Sequence, residues 1–122
     1  MTKPQKLRKI LAEAYRELGY GNHKLEIFGI NGLPVASFGV KRDDMLTVSG
    51  NMSAFYDDAK IAARRLLHQD AESVAIEIED GSRYYAKMIG GNNILGIVSD
   101  LKSFDAVKTV LNKYSSKFIG IL

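Results

Sequence analysis

Apolar positions along the chain follow two different periods. Between Pro4 and Gly19 they fall at Leu7, Ile10, Leu11, Ala14, Tyr15 and Leu18. Spacings of three and four place these on one face of a helix. A proline in the first turn and a glycine behind the last apolar residue mark its ends. Residues 23–28 read as a strand. Asn31-Gly32 tolerates positive φ and signals a hairpin turn, and residues 33–38 return as a second strand. Pro34 has no N–H, which favours the beginning of an edge strand. Asp43 or Asp44 is placed to cap a long helix running to about His68.

Period two returns at Ser73. Val74, Ile76 and Ile78 alternate with Ala75, Glu77 and Glu79, a strand with one wet face. Its charge suits a sheet edge. Asp80-Gly81 turns the chain, residues 83–89 come back, and Gly90-Gly91-Asn92-Asn93 turns it again. Residues 94–98 are apolar at every position, which suits a central strand covered on both faces. Ser103 can cap a last helix bearing Phe104, Val107, Val110, Leu111 and Tyr114. The apolar tail, residues 118–122, reads equally as a short strand or as a cover for a groove. The order is helix, two strands, helix, three strands, helix. The short links within it require antiparallel pairing.

The long helix carries two stripes. Met45, Val48, Met52, Phe55, Tyr56, Ala59, Ala63 and Leu66 form a core face about 140° wide on a 3.6-residue wheel. The opposite face should be polar, yet it holds Gly50, Ala54, Asp57, Ile61 and His68. Gly50 and Ala54 are small enough for another helix to approach closely, and Ile61 is apolar. A second, narrower seam implies a second partner; the plainer alternative is one exposed isoleucine on a solvated face.

Composition narrows the classes. At 122 residues the expectation is one domain over 1–122, and 46% apolar with 25% charged residues excludes a disordered or fibrous chain. The absence of cysteine excludes disulfides, thiolate metal sites and a cysteine nucleophile. No signal-type stretch follows Met1, and the longest apolar stretch, 94–98, is too short to span a bilayer. A cytoplasmic protein with no membrane insertion is expected. Net charge is +3. Basic residues cluster at Lys3, Lys6, Arg8 and Lys9, at Lys41-Arg42 and at Arg64-Arg65. No aromatic residues are interleaved with them, which argues against nucleic acid.

Catalytic chemistry finds little support. His23 and His68 lie on different elements, so no helical histidine pair can hold zinc. His68 suits a helix C-terminus. Asp43-Asp44 opens a helix, and Asp57-Asp58 lies off the core face with Lys60 positioned to pair with Asp57. Gly90-Gly91-Asn92-Asn93 lacks the Gly-Lys-Ser/Thr ending of a phosphate cradle and precedes a strand. Arg64 or Arg65 could act in trans on a phosphoryl-transfer transition state, though a solvated face or a dimer salt bridge explains them more simply. No catalytic residue, cofactor or metal is assigned.

One ordered set remains: Gly32-Leu33-Pro34-Val35-Ala36-Ser37, then Met52-Ser53-Ala54 within the long helix, then Val74-Ala75-Ile76-Glu77, Asp80-Gly81 and Ile94-Leu95-Gly96-Ile97. Over about residues 24–114 this set resembles the roadblock/dynein-light-chain family. The resemblance implies an α/β (α+β) fold: a five-stranded antiparallel sheet sandwiched by the long central helix and the terminal helices, of roadblock/profilin-like shape. It implies a homodimer built by pairing the central helices and the edge strands that follow them. It also implies a non-catalytic role, since bacterial and archaeal members commonly regulate Ras-like small GTPases. On this chain the dimer interface maps to Gly50, Ala54, Asp57, Ile61, Arg64 and His68 of the helix and Val74, Ala75, Ile76, Glu77 and Ile78 of the strand. Two other readings use the same sheet: a profilin-like or PAS-like small-ligand sensor with Arg83, Tyr84 and Tyr85 lining a pocket, and a purely structural scaffold.

Overall fold

The computed structural model describes residues 1–100 and 104–122. Helix α1 (Lys3–Leu18) begins one residue before Pro4 because Thr2 caps it. The Thr2 hydroxyl accepts from the Gln5 N–H at 3.3 Å, and the Gln5 side-chain carbonyl accepts from the Thr2 N–H at 2.9 Å. This reciprocal box satisfies two donors that a helix start leaves open. Strands β1 (His23–Gly29) and β2 (Pro34–Phe38) form a hairpin. Its turn depends on Gly32 at φ 81°, a backbone conformation open to glycine, and on the Asn31 side chain accepting from the Leu33 N–H at 3.1 Å.

A 3-10 turn (Arg42–Asp44) leads directly into α2 (Met45–Leu67). This corrects the expected cap. Asp44 stands at the N-cap with helical dihedrals, φ −98° and ψ −10°, and its side chain makes no capping bond. The preceding 3-10 turn takes up the helix start instead. At the other end His68 adopts φ 55° and its N–H reaches the Arg64 carbonyl at 3.1 Å, a left-handed C-cap.

Strands β3 (Ser73–Glu77), β4 (Arg83–Gly90) and β5 (Asn93–Ser99) complete one sheet in the order β2-β1-β5-β4-β3, every neighbouring pair antiparallel. The wholly apolar segment is the central strand, and Ser73–Glu77 is an edge, as the patterning predicts. Helix α3 (Phe104–Ile119) runs further than the expected end near Tyr114. Phe118 lies inside it, fully buried, and Ile121 and Leu122 pack on the same core. The apolar tail is therefore the last helical turn and its continuation, not a strand. The expected Ser103 cap lies outside the described residues.

The sheet has two unlike covers. On one face α1 and α3 enclose a core that includes Leu7, Leu11, Leu25, Ile27, Leu95, Ile97, Leu111 and Phe118. On the other face α2 lies over Phe28, Val74, Tyr84, Ala86 and Ile94, to which it contributes Met52 and Tyr56. Gly96 in the central strand lets α2 come close. A Cβ there would lie 2.7 Å from the Met52 sulfur and 3.1 Å from the Phe28 ring.

Candidate interaction surface

Helix α2 is fastened to the sheet by polar as well as apolar contacts. Ser49 and Ser53 are buried and donate to the carbonyls of Gly32 and Ile30, at 2.8 and 3.4 Å, holding the helix to the β1–β2 hairpin. The Tyr84 hydroxyl donates to the Met52 carbonyl at 2.9 Å. Burial pushes its pKa well above the usual tyrosine value. These anchors leave the rest of the helix surface outward.

Along that surface Gly50, Ala54, Asp57, Ile61, Arg64 and His68 are all exposed. A Cβ on Gly50 would meet nothing within 4 Å, so the strip around Gly50 and Ala54 is flat. The core stripe is narrower than expected. Phe55 and Leu66 are 55% and 78% exposed, alongside Ile61 at 48% and Leu67 at 70%. Phe55 lies at the border of the stripe and only leans on the Tyr84 ring, centroids 6.0 Å apart. Beyond Ala63 the helix buries nothing. A 23-residue helix is about 34 Å long, and its last turn carries Leu66 and Leu67 into solvent.

Strand β3 flanks this helix face as the sheet edge. Val74 is buried under α2 and Ile76 half-buried, so at Val74 the edge offers mainly its backbone. Ala75, Glu77 and Ile78 are exposed, with Ile78 just past the strand end. Glu77 meets Arg83 at 2.8 Å. Arg64 has an acidic partner within the chain. It pairs with Asp70 at 2.6 Å in the α2–β3 loop, which raises the Arg64 pKa and lowers that of Asp70. Lys60 lies 5.6 Å over the Tyr56 ring, and the surface pair expected between it and Asp57 does not form.

The ligand-pocket arrangement of Arg83, Tyr84 and Tyr85 is absent for a simple reason. Consecutive strand residues point to opposite faces. Tyr84 faces α2, whereas Tyr85 joins the α1/α3 core and meets the Ser73 hydroxyl at 3.2 Å. Gly90 to Asn93 is a turn between β4 and β5, as expected. Among the described residues no three histidines or carboxylates gather where they could hold a metal. No described helix is long and apolar enough to cross a membrane.

On β1, two buried polar side chains have surroundings that the sequence reading did not assign. His23 bridges the Gly19 carbonyl at 3.0 Å and the Ser99 hydroxyl at 2.8 Å. Since a carbonyl only accepts, Nε2 carries the proton to Gly19. Glu26 is fully buried on the α2 face between Ser37 and Gly96, and neither carboxyl oxygen has a hydrogen-bond partner. Burial alone raises its pKa to about 7.

A five-stranded antiparallel sheet with a long helix on one face and two terminal helices on the other is the Roadblock/LC7 fold. The chain superposes on a Roadblock/LC7 domain from Streptomyces avermitilis with a TM-score of 0.69 at 14% identity, over 89% of this chain and 97% of that one. It matches the gliding protein MglB from Thermus thermophilus at TM-score 0.82 and 16% identity, over 99% and 91%. A structure of MglB with a tetrameric arrangement gives 0.83 at 15% identity, over 99% and 90%. No protein-family model and no curated protein sequence matches the chain.

Proposed function

We propose that this protein is a non-catalytic homodimer of the roadblock type that binds and regulates a Ras-like small GTPase in the cytoplasm. The observation that carries the reading is the outer face of α2. It is a flat strip at Gly50 and Ala54, bordered by exposed Phe55, Ile61, Leu66 and Leu67 and continued by the open edge of β3. Apolar side chains in a row beside an unpaired strand edge are the materials of an interface. Two-fold pairing of α2 with α2 and β3 with β3 covers both at once and closes the assembly. A standard interface buries about 1,600 Å² in total. The GTPase docks on the paired helices, an assignment supported by the family resemblance and by the fold shared with MglB.

Two measurements test it. Sedimentation velocity at micromolar concentration should give a dimer, and a monomer would sink the assembly. Titration with a Ras-like GTPase loaded with a non-hydrolysable GTP analogue should give tighter binding than with GDP. Equal binding, or none, would remove the GTPase from the reading. Hydrolysis unchanged by a partner that nonetheless binds would leave a scaffold in place of a regulator.

A further inference from the structure

The other edge of the sheet is flanked by basic residues. Basic residues far apart in sequence come together there: Arg8 and Lys9 on α1, and Arg42 ahead of α2, all exposed. Between them a groove of about 430 Å³ runs along β2 from Val35 to Phe38, walled by Pro4, Gln5 and Arg8 on one side and by Arg42 and Met45 on the other. It continues past Lys9 and Ala12. Arg8, Lys9 and Arg42 line these surfaces and no carboxylate does; Asp43 and Asp44 follow Arg42 in the chain but stand outside the lining. One aromatic side chain, Phe38, contributes to the lining. Phe38 is held edge-on by Tyr15 at 5.1 Å, and the Arg8 guanidinium lies 5.8 Å over its ring.

Strand β2 is the last in the sheet order, so its outer side has no strand partner. Pro34 removes a donor at the hairpin end and confines any further pairing to the stretch from Val35 to Phe38. An edge with open backbone groups beside a groove is the geometry of strand addition, in which main-chain bonds supply affinity and flanking side chains select the sequence. On the opposite edge, β3, Glu77 is paired with Arg83, and Glu79 and Asp80 follow the strand end.

We propose that the β2 edge binds an extended acidic segment of a partner protein, which adds as a sixth strand with its carboxylates facing Arg8, Lys9 and Arg42. This second docking surface lies at the opposite sheet edge from the β3 dimer face and does not depend on the GTPase assignment.

The probe is a short fluorescent peptide of alternating glutamate and valine, read by anisotropy at low ionic strength and by amide shifts of the ¹⁵N-labelled protein. Saturable binding is expected, with shifts centred on the amides of Val35, Ala36, Ser37 and Phe38. The double charge reversal Arg8→Glu with Arg42→Glu should weaken it by about tenfold or more. Because Arg8 also stacks on Phe38, Arg42→Glu alone, checked for folding by circular dichroism, must weaken binding in the same direction. A lysine–valine peptide should not bind, and a peptide with proline at alternate positions should lose most of its affinity. Absence of saturable binding overturns the proposal. So does equal binding of the proline peptide, which would mean charge attraction without strand pairing. Phosphatidylglycerol vesicles or a single-stranded oligonucleotide binding where the peptide does not would also overturn it, as would the same amide shifts appearing on concentrating the protein alone.

Discussion

The two faces of the sheet are finished to different degrees. Beneath α1 and α3 the core is continuous and apolar, from Leu7 and Leu11 through Ile27 and Ile97 to Leu111 and Phe118. Its one buried imidazole, His23, has both nitrogens engaged, and Lys113 bonds Glu17 to tie the two helices across the surface. Beneath α2 the apolar cluster is smaller. Serine hydroxyls and a tyrosine hydroxyl hold the helix, a carboxyl group is buried without a partner, and apolar side chains point outward. The difference separates two tasks. The α1/α3 side supplies folding stability. The α2 side leaves part of its apolar surface on the outside, where the proposed dimer would cover it.

The largest test of this contrast removes bulk from each side. Phe118→Ala empties a fully buried site in the α1/α3 core and should cost about 3–5 kcal/mol in urea unfolding. Met52→Ala on the α2 side should cost less, because the helix retains its serine and tyrosine bonds. A Met52→Ala loss exceeding that of Phe118→Ala would reverse the assignment of stability to the α1/α3 face.

The next effect depends on pH. The folded pKa of Glu26 is raised from 4.5 to about 7 by burial. Below pH 4.5 the group is protonated in both states and no penalty applies. Between 4.5 and 7 the unfolded chain releases its proton while the folded chain keeps it, so stability falls as pH rises. Above the folded pKa the loss is complete, at about 3 kcal/mol. Asp70 and Asp80, whose pKa values are lowered by Arg64 and Ser82 respectively, act in the opposite sense. Their contribution is present above their unfolded value of 3.8 and is lost only at lower pH, outside the Glu26 window. Chemical unfolding at several pH values, with Glu26→Gln flattening the slope from 4.5 to 7, checks the assignment. An unchanged slope in the variant would place the titrating group elsewhere.

Much of this architecture was legible in the chain. Turn chemistry at Asn31-Gly32, Asp80-Gly81 and Gly90 to Asn93 set the strand pairing, and the wholly apolar Ile94 to Val98 declared the central strand. What misled was periodicity read without knowing the partner surface. Residues 23–28 read only as a strand, with no face assigned, and it is α2 that covers Glu26 and buries it. Ser49 and Ser53 are absent from the apolar stripe of the long helix, yet hairpin carbonyls make them its anchors. Phe55 and Leu66 read as core, but a wheel cannot say how wide the strands beneath are or where burial stops. The β2 groove was invisible because its basic walls, Arg8 and Arg42, meet only in three dimensions.

A smaller effect tests the polar fastening of α2. Tyr84→Phe deletes the hydroxyl that donates to the Met52 carbonyl and should cost about 1 kcal/mol. The carbonyl keeps its helical partner, so no buried acceptor is orphaned. A loss several times larger would mean that this one bond, and not the packing around Met52 and Tyr56, seats the helix.

The smallest expected change in folding accompanies the largest in assembly. Ile61 is half exposed on the outer face of α2 and belongs to neither core cluster. Ile61→Asp should therefore alter monomer stability by no more than about 0.5 kcal/mol, as substitutions away from cores do. In an α2–α2 contact the same change sets two carboxylates near each other across a two-fold axis and buries both, so the dimer should dissociate at micromolar concentration. The two readouts come apart cleanly. If the variant loses several kcal/mol as a monomer, Ile61 is a folding residue and the outward face is not spare surface. If it sediments as an unchanged dimer, association runs through another face, and the contrast between the two sides of the sheet would then need a different cause.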